Sequence, residues 1–265
     1  MKRLSALVIC PGRGTYNRQE LGYLAKNHHQ QQSMLSGFDK CRIALGQPSL
    51  TQLDSATTYS TNRLTRGDNA SSLIYACAYA DFLSINHDKF DIVGVAGNSM
   101  GWYIALACAG VLEANHGFKV VNTMGTLMQE ALIGGQLLYP YVDENWIEIP
   151  RKRNELMALT DRISGLYLSI NLGGMIVFAG TEKALKTCAQ GLKPIQGKFP
   201  IRLHNHAAFH SPLQQPISVI AKEQLHPPLF QQPKLPLIDG RGHVWLPKAS
   251  DQADLWDYTL GHQVV

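Results

Sequence analysis

The chain of 265 residues is 45% hydrophobic and 17% charged, and this length is sufficient for one large domain or two unequal ones. Such a composition excludes the disordered and the fibrous classes of protein. The net charge of +4 is mildly basic. Because no run of lysines and arginines is dense enough to form a nucleic-acid-binding arm, we expect no nucleic-acid partner.

The cysteine pattern and the hydropathy restrict the setting of the protein. The five cysteines are odd in number and widely spaced, without a Cys-x-x-Cys pair. They predict reduced thiols in a cytoplasmic protein rather than a disulfide framework or a zinc site. No apolar stretch approaches the ~18 residues of a membrane span, so we expect no membrane association.

The first part of the chain has the pattern of an α/β fold. Residues 4–10 are an apolar run that ends at Pro11-Gly12, which is typical of a strand covered on both faces. Residues 18–65 are polar and weakly periodic, and we expect helices with poor local signals there. From residue 70 the apolar spacing predicts a helix packed on a sheet, and residues 90–96 predict a second buried strand.

A glycine-flanked serine follows the second predicted strand. Gly97 and Gly101 enclose Ser99, and a run of mostly small residues then predicts a helix up to residue 109. A strand, Gly-x-Ser-x-Gly and a helix are the context of a nucleophile elbow, which exposes the serine hydroxyl at the helix N-terminus. There the Met100 amide could stabilise an oxyanion, with a second donor from the loop at 11–14.

The remainder of the chain predicts an inserted subdomain. A helix is expected at 115–132, loop-like stretches at 134–135, 139–141 and 146–150, a helix at 152–161, strands at 165–171 and 175–179, and a helix at 182–191. We therefore expect a large parallel-sheet domain from residues 1–132 and 197–265. A small α+β subdomain would be formed by residues 133–196.

A serine nucleophile needs a base, and His210 is the leading candidate. It follows an extended segment and precedes Ser211-Pro212, so it is predicted to lie where a strand passes into a helix. His204 and His206 could be imagined as metal ligands with His210. No carboxylate or cysteine at ligand spacing supports that alternative, so we expect no metal.

Five motifs of the chain together identify a family resemblance. They are Pro11-Gly-Arg-Gly-Thr15, Gly97-Asn-Ser-Met-Gly101, the stretch around Met124-Gly125 and Met128-Gln-Glu-Ala131, Asn171-Leu-Gly-Gly-Met-Ile-Val-Phe-Ala-Gly180, and Ala208-Phe-His-Ser-Pro-Leu213. In their order and spacing they resemble the malonyl-CoA:acyl-carrier-protein transacylases and the acyltransferase domains of polyketide synthases. The resemblance extends over essentially the whole chain.

The resemblance implies an α/β fold, with a large hydrolase-like domain and an inserted ferredoxin-like subdomain, and a Ser-His dyad that works by ping-pong acyl transfer. Ser99 would take an acyl group from acyl-CoA, and the phosphopantetheine thiol of an acyl carrier protein would remove it, with His210 as base. No bound cofactor is implied. In this family a backbone carbonyl orients the histidine, and the corresponding segment here contains Asp239 and Gly240. Arg13 replaces the usual glutamine, whose backbone amide completes the oxyanion hole.

The acyl pocket departs from the family pattern. Members that use malonyl groups have an arginine where this chain has Met124, which would make the pocket apolar and favour acetyl or longer unbranched chains. In the alternative reading Met124 only packs in the core, and Lys119 or Arg13 supplies the charge. Further candidate pocket residues are Asn98, Trp102, Ser71 and Phe209.

Three functions fit this sequence. The first is an acyltransferase that loads a carrier protein in fatty-acid or polyketide biosynthesis. The second keeps the dyad but uses water as acceptor, giving a hydrolase that clears acyl groups from carrier proteins. The third is a non-catalytic relative, which the altered pocket and an early end relative to the family, from truncation or trimming, would favour.

Overall fold

The computed structural model describes residues 2–195 and 197–265. In chain order the strands and helices are β1 (Leu4–Ile9), α1 (Tyr23–Asn27), α2 (Gln32–Ala44), α3 (Leu50–Asp54), α4 (Thr61–Leu64), α5 (Gly67–Leu83), β2 (Phe90–Ala96), α6 (Met100–Cys108), α7 (Ala114–Ala131), β3 (Gly135–Pro140), α8 (Lys152–Arg162), β4 (Leu166–Asn171), β5 (Met175–Gly180), α9 (Glu182–Gly191), β6 (Ile201–Arg202), α10 (Gln215–Gln224), β7 (Leu237–Ile238), β8 (Val244–Trp245) and α11 (Gln252–Asp257). A π-helical turn, Tyr258–His262, follows α11. Within the described part of the chain, no helix combines the length and apolarity needed to cross a membrane.

The chain divides into two compact units. The first unit contains Met1–Leu127 and Ala221–Thr259, and the second contains Met128–Ile220 and Leu260–Val265. The second unit therefore extends beyond the subdomain expected at 133–196. One reason is that β6 pairs with β3, which adds the segment after residue 196 to the same sheet.

The first unit is built on a sheet with the strand order β1-β2-β7-β8. Strands β1, β2 and β7 are parallel, and β8 runs antiparallel to β7. Every residue of α6 is buried, and so are most residues of α5. The glycine, alanine and serine residues of α5 allow close packing. The α/β fold predicted from the sequence is confirmed, and β2 has the bounds that were predicted for it.

The first strand is less buried than its sequence indicates. Leu4, Leu7 and Ile9 are 66%, 49% and 77% exposed, so the expectation of a strand covered on both faces is wrong. The strand is at the edge of the sheet and pairs only with β2 among the described strands. A continuous apolar run therefore predicted the strand correctly but not the covering of its faces.

The second unit has a ferredoxin-like fold. Its order along the chain is β3-α8-β4-β5-α9-β6, and its antiparallel sheet has the strand order β4-β5-β3-β6. The core is formed mainly by side chains of this sheet and of the two helices, among them Leu137, Tyr139, Leu156, Ile176, Phe178 and Leu185. The predicted ferredoxin-like subdomain is confirmed as a fold.

Strand β3 corrects the expectation of loop-like residues at 134–135 and 139–141. Its sequence begins with Gly135 and ends with Pro140, two residue types that usually interrupt strands. It is nevertheless a central strand, paired with β5 over six residues and with β6 over two. Pairing on both sides outweighs the low intrinsic strand preference of its ends.

Candidate active site

Ser99 is placed in a sharp turn between a strand and a helix. Strand β2 ends at Ala96, α6 begins at Met100, and Ser99 between them has φ 55° and ψ −124°. Residues other than glycine rarely adopt positive φ, and a serine held in this way is the mark of a nucleophile elbow. The predicted elbow geometry is therefore present, with the serine directly before the N-terminus of a buried helix.

Two glycines make this turn possible by close backbone packing. A Cβ at Gly97 would collide with the backbone of Gly101, and a Cβ at Gly101 would lie 2.6 Å from the Cys10 carbonyl oxygen. The end of β1 is thus pressed against the first turn of α6. This contact brings the loop at 11–14 next to the elbow, as an oxyanion site shared by that loop and Met100 requires.

The Arg13 side chain has a partner of its own in the first unit. Its guanidinium donates a hydrogen bond of 2.7 Å to the Thr65 carbonyl. Burial lowers the pKa of this guanidinium to about 10, and the negative charge of Asp68 partly opposes that effect. The expected role of Arg13 concerns its backbone amide and stays a prediction.

Two predicted pocket residues lie on helices that approach each other closely. Met124 on α7 is 1% exposed, and Ser71 on α5 is also buried. A Cβ at Gly125 would lie 2.6 Å from the Gly67 carbonyl oxygen and 3.2 Å from the Ser71 Cβ. Lys119 is exposed. Of the two cations considered as replacements for the arginine, Arg13 is therefore the more enclosed one.

Trp102 is fully buried in an aromatic cluster of the first unit. Its indole Nε1 donates a hydrogen bond of 2.9 Å to the Thr259 hydroxyl. Its ring centre lies 5.1 Å from that of Tyr258, edge to face, and 6.5 Å from that of Trp245. These contacts describe core packing, and the role of Trp102 in the acyl pocket stays a prediction.

The candidate base lies in the second unit. His210 directly follows the buried Phe209 and has φ 54°. Its Nδ1 lies 2.6 Å from the Gln263 carbonyl oxygen. Since a carbonyl only accepts hydrogen bonds, Nδ1 carries the proton and donates it, which leaves Nε2 as the basic nitrogen. Burial lowers the pKa of His210, and the hydrogen bond to Gln263 opposes this in part.

The residue that holds His210 is different from the one expected. The sequence assigned this role to the backbone of Asp239 and Gly240, but the carbonyl on Nδ1 is that of Gln263. Asp239 instead organises the turn between β7 and β8, where its buried carboxylate accepts hydrogen bonds from Arg241 and Trp245. Burial alone would raise the pKa of Asp239, but these hydrogen bonds hold it below its usual value.

The packing of Gly240 explains why this segment contains glycine. A Cβ at Gly240 would collide with the side chain of Asn98, the residue before Ser99. Both residues belong to the first unit. The segment assigned to the histidine therefore supports the elbow, because the parallel pairing of β2 with β7 places the ends of these two strands side by side.

A polar network supports the segment that carries the candidate base. The Ser169 hydroxyl donates to the Phe209 carbonyl at 2.8 Å and accepts from the Gln136 amide at 2.7 Å. His206 bonds to the same amide group through its Nδ1, and His204 is exposed. The described residues contain no group of three or more metal-ligating side chains.

A buried arginine that the sequence analysis missed joins three helices of the first unit. Arg42 is fully buried on α2, and burial lowers its pKa to about 10, with Asp68 and Asp39 opposing. Its guanidinium donates to the Asp68 carbonyl and Ser72 hydroxyl on α5 and the Asn122 amide on α7. No local pattern marks such a residue, because all its described side-chain partners except the Pro48 carbonyl are 26 to 80 positions away.

The fold and the elbow define an α/β protein of the hydrolase-like type that presents a serine at a nucleophile elbow, together with a ferredoxin-like unit. The chain is similar in sequence to the malonyl CoA-acyl carrier protein transacylase of Buchnera aphidicola, with 26% identity over 146 residues, which are 55% of this chain and 46% of that protein. The resemblance stated from the motifs is thereby confirmed. The chain spans about half the length of the curated relatives it matches.

Solved structures share the fold over nearly the whole chain. The acyl-carrier-protein S-malonyltransferase of Burkholderia pseudomallei is 22% identical, with a TM-score of 0.78 over 99% of this chain and 81% of that one. A malonyl-transacylase solved in complex with its type II polyketide synthase acyl-carrier protein is 19% identical, with a TM-score of 0.75 over 98% and 80%. No protein-family model matches the chain.

Proposed function

We propose that this protein is an acyltransferase that moves an acyl group from acyl-CoA to the phosphopantetheine thiol of an acyl carrier protein. The observation that carries the proposal is the strained turn at Ser99, which directly precedes the buried helix α6. The similarity to malonyl CoA-acyl carrier protein transacylases supports the choice of reaction. The setting is fatty-acid or polyketide biosynthesis.

The reaction has two symmetrical halves. In the first, the Ser99 hydroxyl oxygen attacks the thioester carbonyl of acyl-CoA while Nε2 of His210 takes the hydroxyl proton. The oxyanion is stabilised by the backbone amides of Met100 and Arg13. It then collapses, the C–S bond breaks, and Nε2 returns the proton to the coenzyme A thiolate. In the second half the carrier thiol attacks the acyl-serine, and the same proton transfers release Ser99.

The state of His210 suits this role. Because Nδ1 donates to the Gln263 carbonyl, the imidazole is held in the tautomer whose Nε2 accepts a proton. The lowered pKa keeps the ring neutral at neutral pH, as a general base requires. The fixed carbonyl also stabilises the imidazolium that forms during each proton transfer.

The acyl group is proposed to lack a free carboxylate. Met124 is buried and apolar, and a carboxylate placed beside it would lose hydration without gaining a charged partner. An acetyl group or a longer unbranched acyl chain fits such a surface. The competing possibility is that the enclosed guanidinium of Arg13 receives a malonyl carboxylate.

The proposed partner is an acidic acyl carrier protein. One relative of the same fold has been solved with its acyl-carrier protein. The net charge of +4 favours the approach of an acidic partner, and this is a long-range contribution only. The cytoplasmic location and the absence of a bound cofactor stay predictions.

Intact-mass spectrometry tests the proposal. The protein is mixed separately with malonyl-, acetyl- and longer acyl-CoA, and a carrier protein is then added. We expect a stable adduct on Ser99 that moves to the carrier, with acetyl or a longer chain preferred over malonyl. An adduct that decays without the carrier would instead establish a hydrolase, and no adduct with any donor would establish a non-catalytic relative.

The variant Met124→Arg separates the two views of the acyl pocket. If the apolar surface sets the preference, the arginine should raise malonyl loading relative to acetyl loading about tenfold or more. Efficient malonyl loading by the unmodified protein, with no gain from Met124→Arg, would contradict the apolar pocket. The substitution Lys119→Met on the same helix is the control, because that side chain is exposed.

A further inference from the structure

We infer that Trp102 is a positioning residue, which ties the nucleophile elbow to the backbone segment that holds the base. This inference rests on the proposed function, since Trp102 would support the two reacting groups of that function, Ser99 and His210. Trp102 touches neither substrate nor reacting atoms in this role. It acts through Thr259 and through the chain that leads from Thr259 to Gln263.

The first step is the link between Trp102 and the serine. The backbone amide of Trp102 donates a hydrogen bond of 3.1 Å to the Ser99 carbonyl, in the first turn of the elbow helix. The indole of the same residue donates to the Thr259 hydroxyl at 2.9 Å. Trp102 therefore bonds to Ser99 through its backbone and to Thr259, at the end of the first unit, through its side chain.

The second step concerns the direction of the hydrogen bond at Thr259. Its hydroxyl donates its only proton to the Leu255 carbonyl at 2.6 Å. The hydroxyl oxygen can therefore only accept from Trp102, whose indole can only donate. Both side chains are fully buried, so neither group can exchange this bond for water, and the contact fixes the position of the turn around Thr259.

The third step follows the chain from Thr259 to the base. Thr259 lies in the π-helical turn Tyr258–His262, and Gln263 comes directly after that turn. Carbonyls at the end of a helix have no partner in the helix, and that of Gln263 accepts from Nδ1 of His210. The Ser218 hydroxyl donates to the Leu260 carbonyl at 2.6 Å and so anchors the same segment within the second unit.

π-helical turns are rare and are frequent at functional sites. Here the turn is held from outside by two buried side-chain hydrogen bonds, from Trp102 to Thr259 and from Ser218 to Leu260. A shift of the turn would be passed along four residues of backbone to the Gln263 carbonyl. The histidine would then lose part of the hydrogen bond that fixes its tautomer.

The test uses Trp102→Phe and Thr259→Val, each of which removes one side of the hydrogen bond. Valine keeps the shape of Thr259, whereas phenylalanine keeps an aromatic ring at position 102 but is smaller than tryptophan. Thr259→Ser is the matched control, because it retains the hydroxyl. Trp245→Phe is the second control, because it removes an indole of the same aromatic cluster whose hydrogen bond goes to Asp239 rather than to Thr259. Each variant is measured for Ser99 acylation against pH, for the NMR titration of His210, and for Tm.

We expect Trp102→Phe and Thr259→Val each to slow acylation roughly tenfold, and the double variant to lose little more than either. Since the bond to Gln263 raises the pKa of His210, its weakening should move the His210 titration to lower pH in both variants. Thr259→Ser should restore the rate and the titration of the unmodified protein. Trp245→Phe should change Tm without moving the titration.

Three results would overturn the inference. The first is an unchanged His210 titration in Trp102→Phe and Thr259→Val with only a lower Tm, which would leave Trp102 a packing residue. The second is an equal shift in Trp245→Phe, and the third is full additivity in the double variant. If no donor acylates even the unmodified protein, the proposed function fails, but the NMR titration still decides this inference because it observes His210 directly.

Discussion

The nucleophile and the base of the proposed dyad are held in place in opposite ways. Ser99 is held locally, by a turn of five residues in which two glycines permit close backbone contact. His210 is held by the carbonyl of a residue 53 positions away in the chain. A short sequence motif specifies the turn at Ser99, whereas the hydrogen bond between His210 and Gln263 forms only once the chain has folded.

This difference determines what a substitution can do. A change in the elbow alters the turn itself, because the steric requirements of Gly97 and Gly101 involve backbone atoms that cannot move away cheaply. A change near the base acts on a hydrogen bond between a side chain and a distant carbonyl, so it alters orientation and protonation first. Substitutions at the elbow should therefore disturb the backbone of the turn, whereas substitutions near His210 should first disturb the orientation and protonation of its ring.

The largest effect is expected from removing the nucleophile. Ser99→Ala should reduce transfer by at least about ten-thousandfold, because no acyl-enzyme can form. Intact-mass spectrometry should show no adduct with any acyl-CoA, while the Tm stays close to that of the unmodified protein. Ser36→Ala, at an exposed position of α2, is the control and should keep full activity. An adduct that persists in Ser99→Ala would place the nucleophile elsewhere.

The next effect comes from the base. His210→Gln should slow acylation about a thousandfold, because glutamine cannot take the serine proton. The adduct should still form on long incubation, since the elbow and the oxyanion donors are intact. The matched control is His204→Gln, which changes an exposed histidine of the same segment. Equal rates in the two variants would show that His210 has no role as a base.

Glycine packing at the elbow gives a stability effect of intermediate size. Gly101→Ala puts a Cβ 2.6 Å from the Cys10 carbonyl and should lower the free energy of unfolding by about 2 kcal/mol. Gly191→Ala is the control, because no atom lies within 4 Å of its Cβ position at the end of α9. That control should be neutral or slightly stabilising. Denaturant unfolding of both variants makes the comparison, and equal stabilities would refute the close packing.

The same contrast explains how far the sequence predicts the structure. Local patterns predicted the observed bounds of β2 and α9, and they predicted the elbow around Ser99. They failed at β3, where pairing with two strands outweighs Gly135 and Pro140, and at β1, whose exposed faces depend on which elements cover the sheet. Ser99 and His210 could be named because the side chains of serine and histidine are suited to the proposed chemistry.

The supports of these two residues could not be predicted. Gln263 holds His210 through a backbone carbonyl, which every residue possesses, so no residue type marks the position. The same is true of Trp102, which forms its indole bond with a residue 157 positions away. The assignment of Asp239 and Gly240 was wrong for this reason, since a segment of suitable composition was chosen without knowledge of the long-range pairing.

The smallest effect is on the pH dependence of acylation. It reports on the environment of His210 and its hydrogen bond to Gln263, and not on the elbow at Ser99. Burial lowers the pKa of His210 from its ordinary value of about 6.5, and the hydrogen bond to Gln263 offsets this only in part. The neutral imidazole is the active base, so the rate should rise with pH and reach half its maximum below pH 6.5.

The measurement is the acylation rate from pH 5 to pH 8. We expect this rate to be close to its plateau already at neutral pH. An NMR titration of His210 identifies the group, and its midpoint should coincide with that of the rate profile, because both follow the same proton. A midpoint above 6.5 would mean that the carbonyl of Gln263 outweighs burial. The hydrogen bond, rather than exclusion of water, would then be the main determinant of the base.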